Sequence, residues 1–590
     1  MTRVWQTALP AQHARRASTT IMDVRVAYAS ETGRAEALAW RCRSWLKLRN
    51  VATSDPVPLN DLTTESTTTI IFAATAGDGA PPSNAKKFWS ALLRKGAPRL
   101  EGKRYALYGL GDARYGAKFN AFARRLDARL AQLGAARLCE RSLGDACTVE
   151  GAESLLPGFL SRLSPALGIS DALEASLLGR VGDEAPDRVE DYAAPVTIEM
   201  VDGGSSVDAY ERRLLEKEGC ASIARATLSS TKRLTDEDWW QEVRHVVFSA
   251  SVTYAPGDVA VLLPRNAPSH IKAVLIALQK NDKTLALTTK VTSSLVNGTV
   301  EDVLATCLDL ATPLPQRSLG ILALFVEGDD DTSKEQRQKL KELSTVAGGA
   351  LYRDYVRSER RGVADILIDF DRCAPSLEAL VDACPRLRPR HYSIASCSSD
   401  RVELCVAHAL LETPLGRKVY GLCSSWLCDL REGTLLMGVR KGEFSPINED
   451  PLVFVGPGTG VAPARAYALS QPRNDMLLFF GCRHESKDRL YADEFAGLSQ
   501  LEVDVSVSRH TDASQRRYVT KALRARSADV ASWILDRNAR FYIAGNAKMA
   551  ADVALALCDC LAPRCGGSQK AAALLRRLER EGRFATEAFG

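Results

Sequence analysis

The chain has 590 residues, 46% of them hydrophobic and 25% charged, and a formal net charge of +5. That length exceeds a single core, because domains usually run about 100–200 residues, and the composition is that of an ordinary globular protein. The small positive surplus gives no case for a nucleic-acid partner, and no stretch approaches the ~20 apolar residues of a membrane helix, so no membrane anchor is expected.

Residues 1–21 carry Arg3, His13, Arg15 and Arg16 and no acid. This composition fits a mitochondrial transit peptide, but the segment is short and weakly amphipathic. An extension, or a start at Met22, is the favoured reading, and a cytoplasmic location is expected. Residues 22–163 alternate short apolar strands (Val24–Ala29, Thr69–Ala74, Tyr105–Gly109) with helical patterns near Lys86–Leu93 and Phe119–Leu133. Such alternation predicts a doubly wound parallel sheet. Residues 164–215 are rich in Pro, Gly, Asp and Glu and read as a partly ordered linker. Residues 216–447 read as a β-barrel interrupted by a mainly helical insertion at about 271–384, and 448–590 return to β/α alternation. The 15 cysteines are odd in number and irregularly spaced, as in reduced cytosolic chains. Cys558, Cys560 and Cys565 cluster without a paired C-x-x-C, so buried thiols are expected there and no metal site.

Three loops in the first domain follow successive strands, where open parallel sheets bind ligands. Ser30-Glu31-Thr32-Gly33-Arg34-Ala35 leads directly into a helix, and amides at a helix start bind phosphate. Thr75-Ala76-Gly77-Asp78-Gly79 allows close backbone approach to a flat ring. Gly109-Leu110-Gly111-Asp112-Ala113-Arg114-Tyr115 ends on an aromatic that can stack. Any one of these alone is most often a helix cap or a turn; the three in order are far more specific.

Together these segments resemble a flavodoxin-like FMN domain. The resemblance implies that Ser30, Glu31, Thr32, Gly33, Arg34 and Ala35 hold the FMN phosphate. Thr75, Ala76, Gly77, Gly79, Gly109, Leu110, Gly111, Asp112 and Asn120 would line the ring and ribityl chain, Tyr115 would stack on the flavin, and Asp145 would be an edge contact. Several relatives have an aromatic where this chain has Ala76, so one flavin face is expected to be less covered.

In the second half, Arg390 and Tyr392 alternate with His391 on a strand and so share a face, suited to a pyrophosphate and a ring. Gly421-Leu422-Cys423-Ser424 reads as a phosphate-type helix start, and Gly456-Pro457-Gly458-Thr459-Gly460, between a strand and a helix, as a pyrophosphate turn. These motifs resemble the ferredoxin–NADP reductase module over about 220–590, and the insertion matches the connecting domain of the diflavin branch. The resemblance implies FAD at Arg390, Tyr392, Ser393 and Gly421 to Ser424. It implies NADPH at Gly458, Thr459, Gly460, Cys482, Arg483, Ser508, Arg509, Arg516, Tyr518 and Asn546. Ser393 would bond flavin N5, Phe589 would cover the FAD ring, and Glu587 would stand beside it. Ala544 and Asn546 occupy positions where relatives carry Cys and Asp near the hydride path.

The wording of GLGDARYGAKFN, RPRHYSIAS, GLCSSWL and YIAGNAK most resembles the NADPH-dependent diflavin reductases of cytosolic iron–sulfur assembly. That implies electron flow from NADPH to FAD to FMN to a 2Fe–2S protein of the anamorsin type. Residues 80–163 carry 15 Lys/Arg against 7 Asp/Glu, a net +8 that would attract an acidic carrier. The alternatives are a diflavin reductase serving a haem protein or a cobalamin enzyme, and a non-catalytic scaffold that kept the fold.

Overall fold

The computed structural model describes residues 24–588 except 32, 50, 64–66, 77–78, 149–151, 170–197, 201–206, 293–296, 346, 399, 445–449, 471–474 and 511. The chain forms two compact units, divided between Asp183 and Glu184.

In the first unit the apolar runs become parallel strands in the order Val57–Pro58, Val24–Ala29, Thr68–Ala74, Arg104–Gly111. The last position is shared. Ala136–Arg137 pairs the start of Arg104–Gly111, and Ser142–Asp145 pairs its end. Helices cover both faces. Trp45 and Phe159 pack on one side of the sheet and Phe122 and Leu126 on the other. This two-sided burial explains why the strands read as continuous apolar runs rather than alternating ones. Among the buried polar side chains is Asp127, fully buried beneath Arg137 and Arg141 and bonded by the Tyr105 hydroxyl at 2.7 Å.

The second unit contains a six-stranded antiparallel sheet ordered Arg390–Ser393, Val259–Leu262, Thr434–Arg440, Ser222–Arg233, Val243–Ala250, Arg401–Ala407. A bridge between Ile394 and Leu404 nearly closes it into a barrel. Between Leu262 and Arg390 the chain leaves to build the helical insertion, which packs around its own core of Leu304, Leu308, Leu319, Leu340 and Leu380. A five-stranded parallel sheet follows, ordered Leu501–Val507, Met476–Cys482, Leu452–Val455, Arg540–Gly545, Phe584–Ala588.

The region read as a linker from 164 to 215 is partly built into the flanking folds. The Leu156–Ala166 helix runs into it. Glu199–Met200 pairs with Lys290–Thr292 of the insertion, and the Val207–Lys217 helix buries Leu215 against Val261 and Leu436 of the barrel. The polar composition concealed the later two elements, since Glu199–Met200 is exposed and the Val207–Lys217 helix buries a single apolar side chain, Leu215. Cys558, Cys560 and Cys565 all lie on the Ala547–Cys565 helix. Among the described residues no helix is long and apolar enough to cross a membrane.

Candidate functional site

Three ligand-binding regions are laid out at the carboxyl ends of parallel strands or beside the barrel. In the first unit, the Ser30 hydroxyl accepts the Gly33 amide at 2.9 Å, curling the first loop. Gly33 has φ 91° and starts the Arg34–Leu48 helix; glycine adopts that conformation without strain. The free amides of this first turn are what an anionic phosphate needs. Arg34 is exposed beside them, and Ala35 is buried under the turn. The Ser30 amide donates to Asn84 Oδ1 at 2.9 Å and the Ser83 amide to Glu31 Oε2 at 2.8 Å. The first loop is thereby fastened to the end of the second, a long-range pairing with no local sequence signal. Thr32, Gly77 and Phe589 lie outside the described residues.

In the second loop, Ala76 and Ala80 exchange backbone bonds in a tight turn that carries Gly79 at φ 86°. The Thr75 amide donates to the Leu110 carbonyl, joining this loop to the third. The glycines Gly109 and Gly111 owe their identity to Asn120, which is fully buried at φ 52° and donates to the Gly144 carbonyl at 3.0 Å. A Cβ on Gly109 would come 2.6 Å from Asn120 Oδ1, and one on Gly111 2.8 Å from the Asn120 amide. Packing against Asn120 therefore demands these glycines whether or not a ring lies above them.

Asp112 accepts the Arg114 amide at 2.9 Å, pairs with its guanidinium at 2.6 Å, and receives the Cys147 thiol at 2.8 Å. The bonds from Arg114 hold its carboxyl well below the usual range. Asp145 accepts the amides of Ala113 and Cys147, both at 2.9 Å. Its carboxylate is thus engaged with the backbone of its own and the third loop. Tyr115 is left 63% exposed at the tip, an aromatic face held out by a loop bonded on both sides.

In the second unit, the Arg390–Ser393 strand sets Arg390 and Tyr392 on one side of the barrel edge. Among the described residues no carboxylate pairs with Arg390, whose guanidinium donates to the Arg388 carbonyl at 2.7 Å. That leaves its charge available for a pyrophosphate. Burial, with Cys423 beside it, pushes the Tyr392 phenol well above its ordinary value. Tyr392 therefore brings the strand and the Leu422–Asp429 helix start together. Cys423 and Ser424 are buried, and the Ser424 hydroxyl accepts the Ala409 amide and donates to the Gly421 carbonyl, each at 3.1 Å. Their side chains hold the turn. What this helix start offers a phosphate is backbone N–H, with Gly421 and Leu422 leading.

The turn after Leu452–Val455 shows both uses of glycine. A Cβ on Gly460 would lie 2.3 Å from the Ala544 carbonyl, so that glycine permits close packing of two strand ends. Gly458, at φ 55°, faces open space, and Thr459 follows it half-buried. An open cradle at a helix start is the shape a dinucleotide pyrophosphate fits. At the neighbouring strand ends, the Ser508 amide and hydroxyl donate to the Cys482 carbonyl at 2.9 and 3.1 Å, and the Arg509 amide donates to the Arg483 carbonyl at 3.1 Å. Arg483 and Arg509 thus stand side by side. Burial and the Arg509 charge lower the Arg483 pKa. Arg516, bonded to the His510 carbonyl at 3.0 Å, and Tyr518, 64% exposed, complete the group. Cys482 itself is buried, its thiol pushed up to about 12 by burial, so it contributes backbone rather than sulfur. Asn546 accepts the Met549 amide at 2.8 Å and caps the Ala547–Cys565 helix.

The proposed reaction centre joins two elements. Parallel pairing sets Glu587 opposite Ala544, and the Ser393 hydroxyl from the barrel donates to Glu587 Oε2 at 2.8 Å. Burial raises the Glu587 pKa, and the Ser393 bond only partly offsets it. The sequence reading missed Arg465, buried in the helix after the glycine turn. It donates to the Ala395 carbonyl at 2.6 Å and pairs with Glu403 at 2.5 Å and Glu494 at 2.8 Å, tying the barrel to the nucleotide-binding sheet. A lone arginine inside the apolar run VAPARAYAL was the available signal.

Family models match this architecture in order: flavodoxin over residues 26–156, an FAD binding domain over 220–426, and an oxidoreductase NAD-binding domain over 454–554. A Xenopus laevis NADPH-dependent diflavin oxidoreductase 1 is 32% identical over 567 residues, covering 89% of this chain and 92% of the relative. The chain belongs to the NADPH-dependent diflavin oxidoreductase family. The Danio rerio protein of that name is 30% identical across 96% of this chain and 99% of its own, and the Candida albicans one 29% identical across 96% and 100%. The cofactors of this diflavin oxidoreductase are FMN in the first unit, and FAD and NADPH in the second. The two flavins supply the change from hydride to single electrons. The protein supplies helix-start amides and exposed aromatic faces, and the Ser393–Glu587 bond fixes a hydroxyl at the barrel edge.

Proposed function

We propose that this NADPH-dependent diflavin oxidoreductase delivers its electrons to a 2Fe–2S protein of the anamorsin type, in cytosolic iron–sulfur cluster assembly, and works in the cytoplasm. The observation that carries this reading is the cationic surface of the flavodoxin-like unit. Lys86, Lys87, Arg94, Lys95, Arg99, Arg114, Lys118, Arg124 and Arg125 are all exposed, with Arg114 and Lys118 flanking the protruding Tyr115. Although Arg114 pairs with Asp112 and Arg99 with Glu101, the positive surplus on this unit steers a partner of opposite sign, raising the encounter rate more than the final affinity. The motif wording that resembles the iron–sulfur-assembly branch supports the same acceptor.

The test is NADPH oxidation with purified acceptors at matched concentration. An acidic 2Fe–2S protein should be reduced faster than a haem protein, and the advantage should shrink as salt rises from 50 to 300 mM. Preference for the haem protein, or a salt-independent rate, overturns the assignment of acceptor while leaving the oxidoreductase activity in place.

A further inference from the structure

The Arg483–Arg509 pair poses a physical problem. Two guanidiniums side by side repel each other, and among the described residues no carboxylate pairs with Arg483. Asp488, in the same loop, instead accepts the backbone amides of Arg483 at 3.0 Å and His484 at 2.6 Å. Arg483 is held by uncharged groups from another element. The barrel segment between Ser222–Arg233 and Val243–Ala250 reaches over the nucleotide-binding sheet. It is anchored by the Asp236 amide bonding the Lys487 carbonyl at 2.9 Å and by Asp238 paired with Lys487 at 2.5 Å. From this segment the Trp240 ring lies 4.8 Å beneath the Arg483 guanidinium, and Gln241 Oε1 accepts its Nη1 hydrogen bond.

We propose that Trp240 and Gln241 are positioning residues for NADPH selectivity: they fix Arg483 beside Arg509 without cancelling its charge, so that the pair stays available to the dianionic 2′-phosphate. A carboxylate in the place of Gln241 would fix the guanidinium at least as firmly but would neutralise the site. An aromatic face and an amide oxygen fix it and leave the charge to the ligand. Selectivity for the phosphorylated nucleotide is then set partly by the FAD barrel, and only partly by the nucleotide-binding domain.

Three variants of the full-length holoprotein test this, read by calorimetric binding of 2′,5′-ADP against 5′-AMP and by KM for NADPH against NADH. Each pair differs only in the 2′-phosphate. Gln241→Glu should weaken 2′,5′-ADP roughly tenfold with 5′-AMP little changed, while thermal stability holds or rises. Trp240→Ala should weaken 2′,5′-ADP roughly fivefold, raise KM for NADPH without lowering kcat, and be rescued by Trp240→Phe. Unchanged 2′,5′-ADP affinity in Gln241→Glu, or losses equal for both members of each pair, would show that the clamp only holds two domains together and overturns the proposal.

Discussion

Ser393 and Glu587 meet at 2.8 Å although 194 residues separate them, one on the edge strand of the barrel and the other on the last strand of the chain. The hydroxyl donates and the carboxylate accepts, so the bond is charge-assisted only while Glu587 is ionised.

That dependence gives a pH signature. Burial sets the Glu587 pKa above the ordinary carboxylate value of about 4.3. As pH falls through the raised value the carboxylate is protonated and the Ser393 hydroxyl bond loses its charge assistance. The rate of flavin reduction by NADPH, measured by stopped flow from pH 5 to 8, should fall on the acid side with an inflection above 4.3. In Glu587→Gln the rate should drop about 10-fold or more and the inflection should vanish. An inflection retained in the variant would assign it to another group.

Arg465 is the buried bridge between barrel and nucleotide-binding sheet. Replacing it with Met takes a partner from Glu494 and from Glu403, which keeps only His245 and Arg401, and breaking a buried pair from one side costs about 3–5 kcal/mol. Burial by itself would raise the Glu403 pKa, but bonds from His245 and Arg465 outweigh it and bring it to about 2. A depressed acid contributes stability that is present above its unfolded pKa of about 4.3 and lost as pH falls through the folded value. Wild type should lose stability between about pH 4 and 2, and Arg465→Met should be weaker at pH 7 with a shallower acid slope, both measured by calorimetry.

Gly109→Ala tests the packing account of the FMN loops. The new Cβ would meet Asn120, Ala123 and Leu143 at 2.6–2.9 Å, overpacking that costs about 1–3 kcal/mol. Extracted flavin should shift toward FAD, with FMN below one equivalent and FAD retained. Equal loss of both flavins would contradict a local effect.

Asp127 should matter to stability alone. Its carboxylate is buried under Arg137 and Arg141, and its partners are Tyr105 and those two arginines. Asp127→Ala leaves those groups without their anion and should lower the unfolding free energy of the flavodoxin-like unit by about 3 kcal/mol. NADPH-driven reduction of FAD should be unchanged.

Much of the scaffold was legible because both parallel sheets are covered on two faces. Val24–Ala29, broken only by Arg25, and Leu452–Val455 are apolar runs, each followed by a glycine-bearing turn and a helix. What escaped notice depends on partners far away in sequence. Ser30 finds Asn84, and Arg465 finds Glu403; neither pairing leaves a periodic trace. The strands Val57–Pro58 and Ala136–Arg137 are two residues long and carry no pattern at all. Among site residues, chemistry was easier to read than side-chain direction. Cys482, Cys423 and Ser424 sit at the expected turns but point inward, since a tight turn needs its own small side chains to fill the space beneath it.

The pairing of Glu199–Met200 with Lys290–Thr292 has a practical consequence. An excised FAD- and NADPH-binding half cut at residue 220, where its family model begins, would leave that edge without its outer strand. It would also strip Leu215 from Val261 and Leu436, opening a wet seam on the barrel. A self-sufficient fragment has to be cloned from upstream of Glu199.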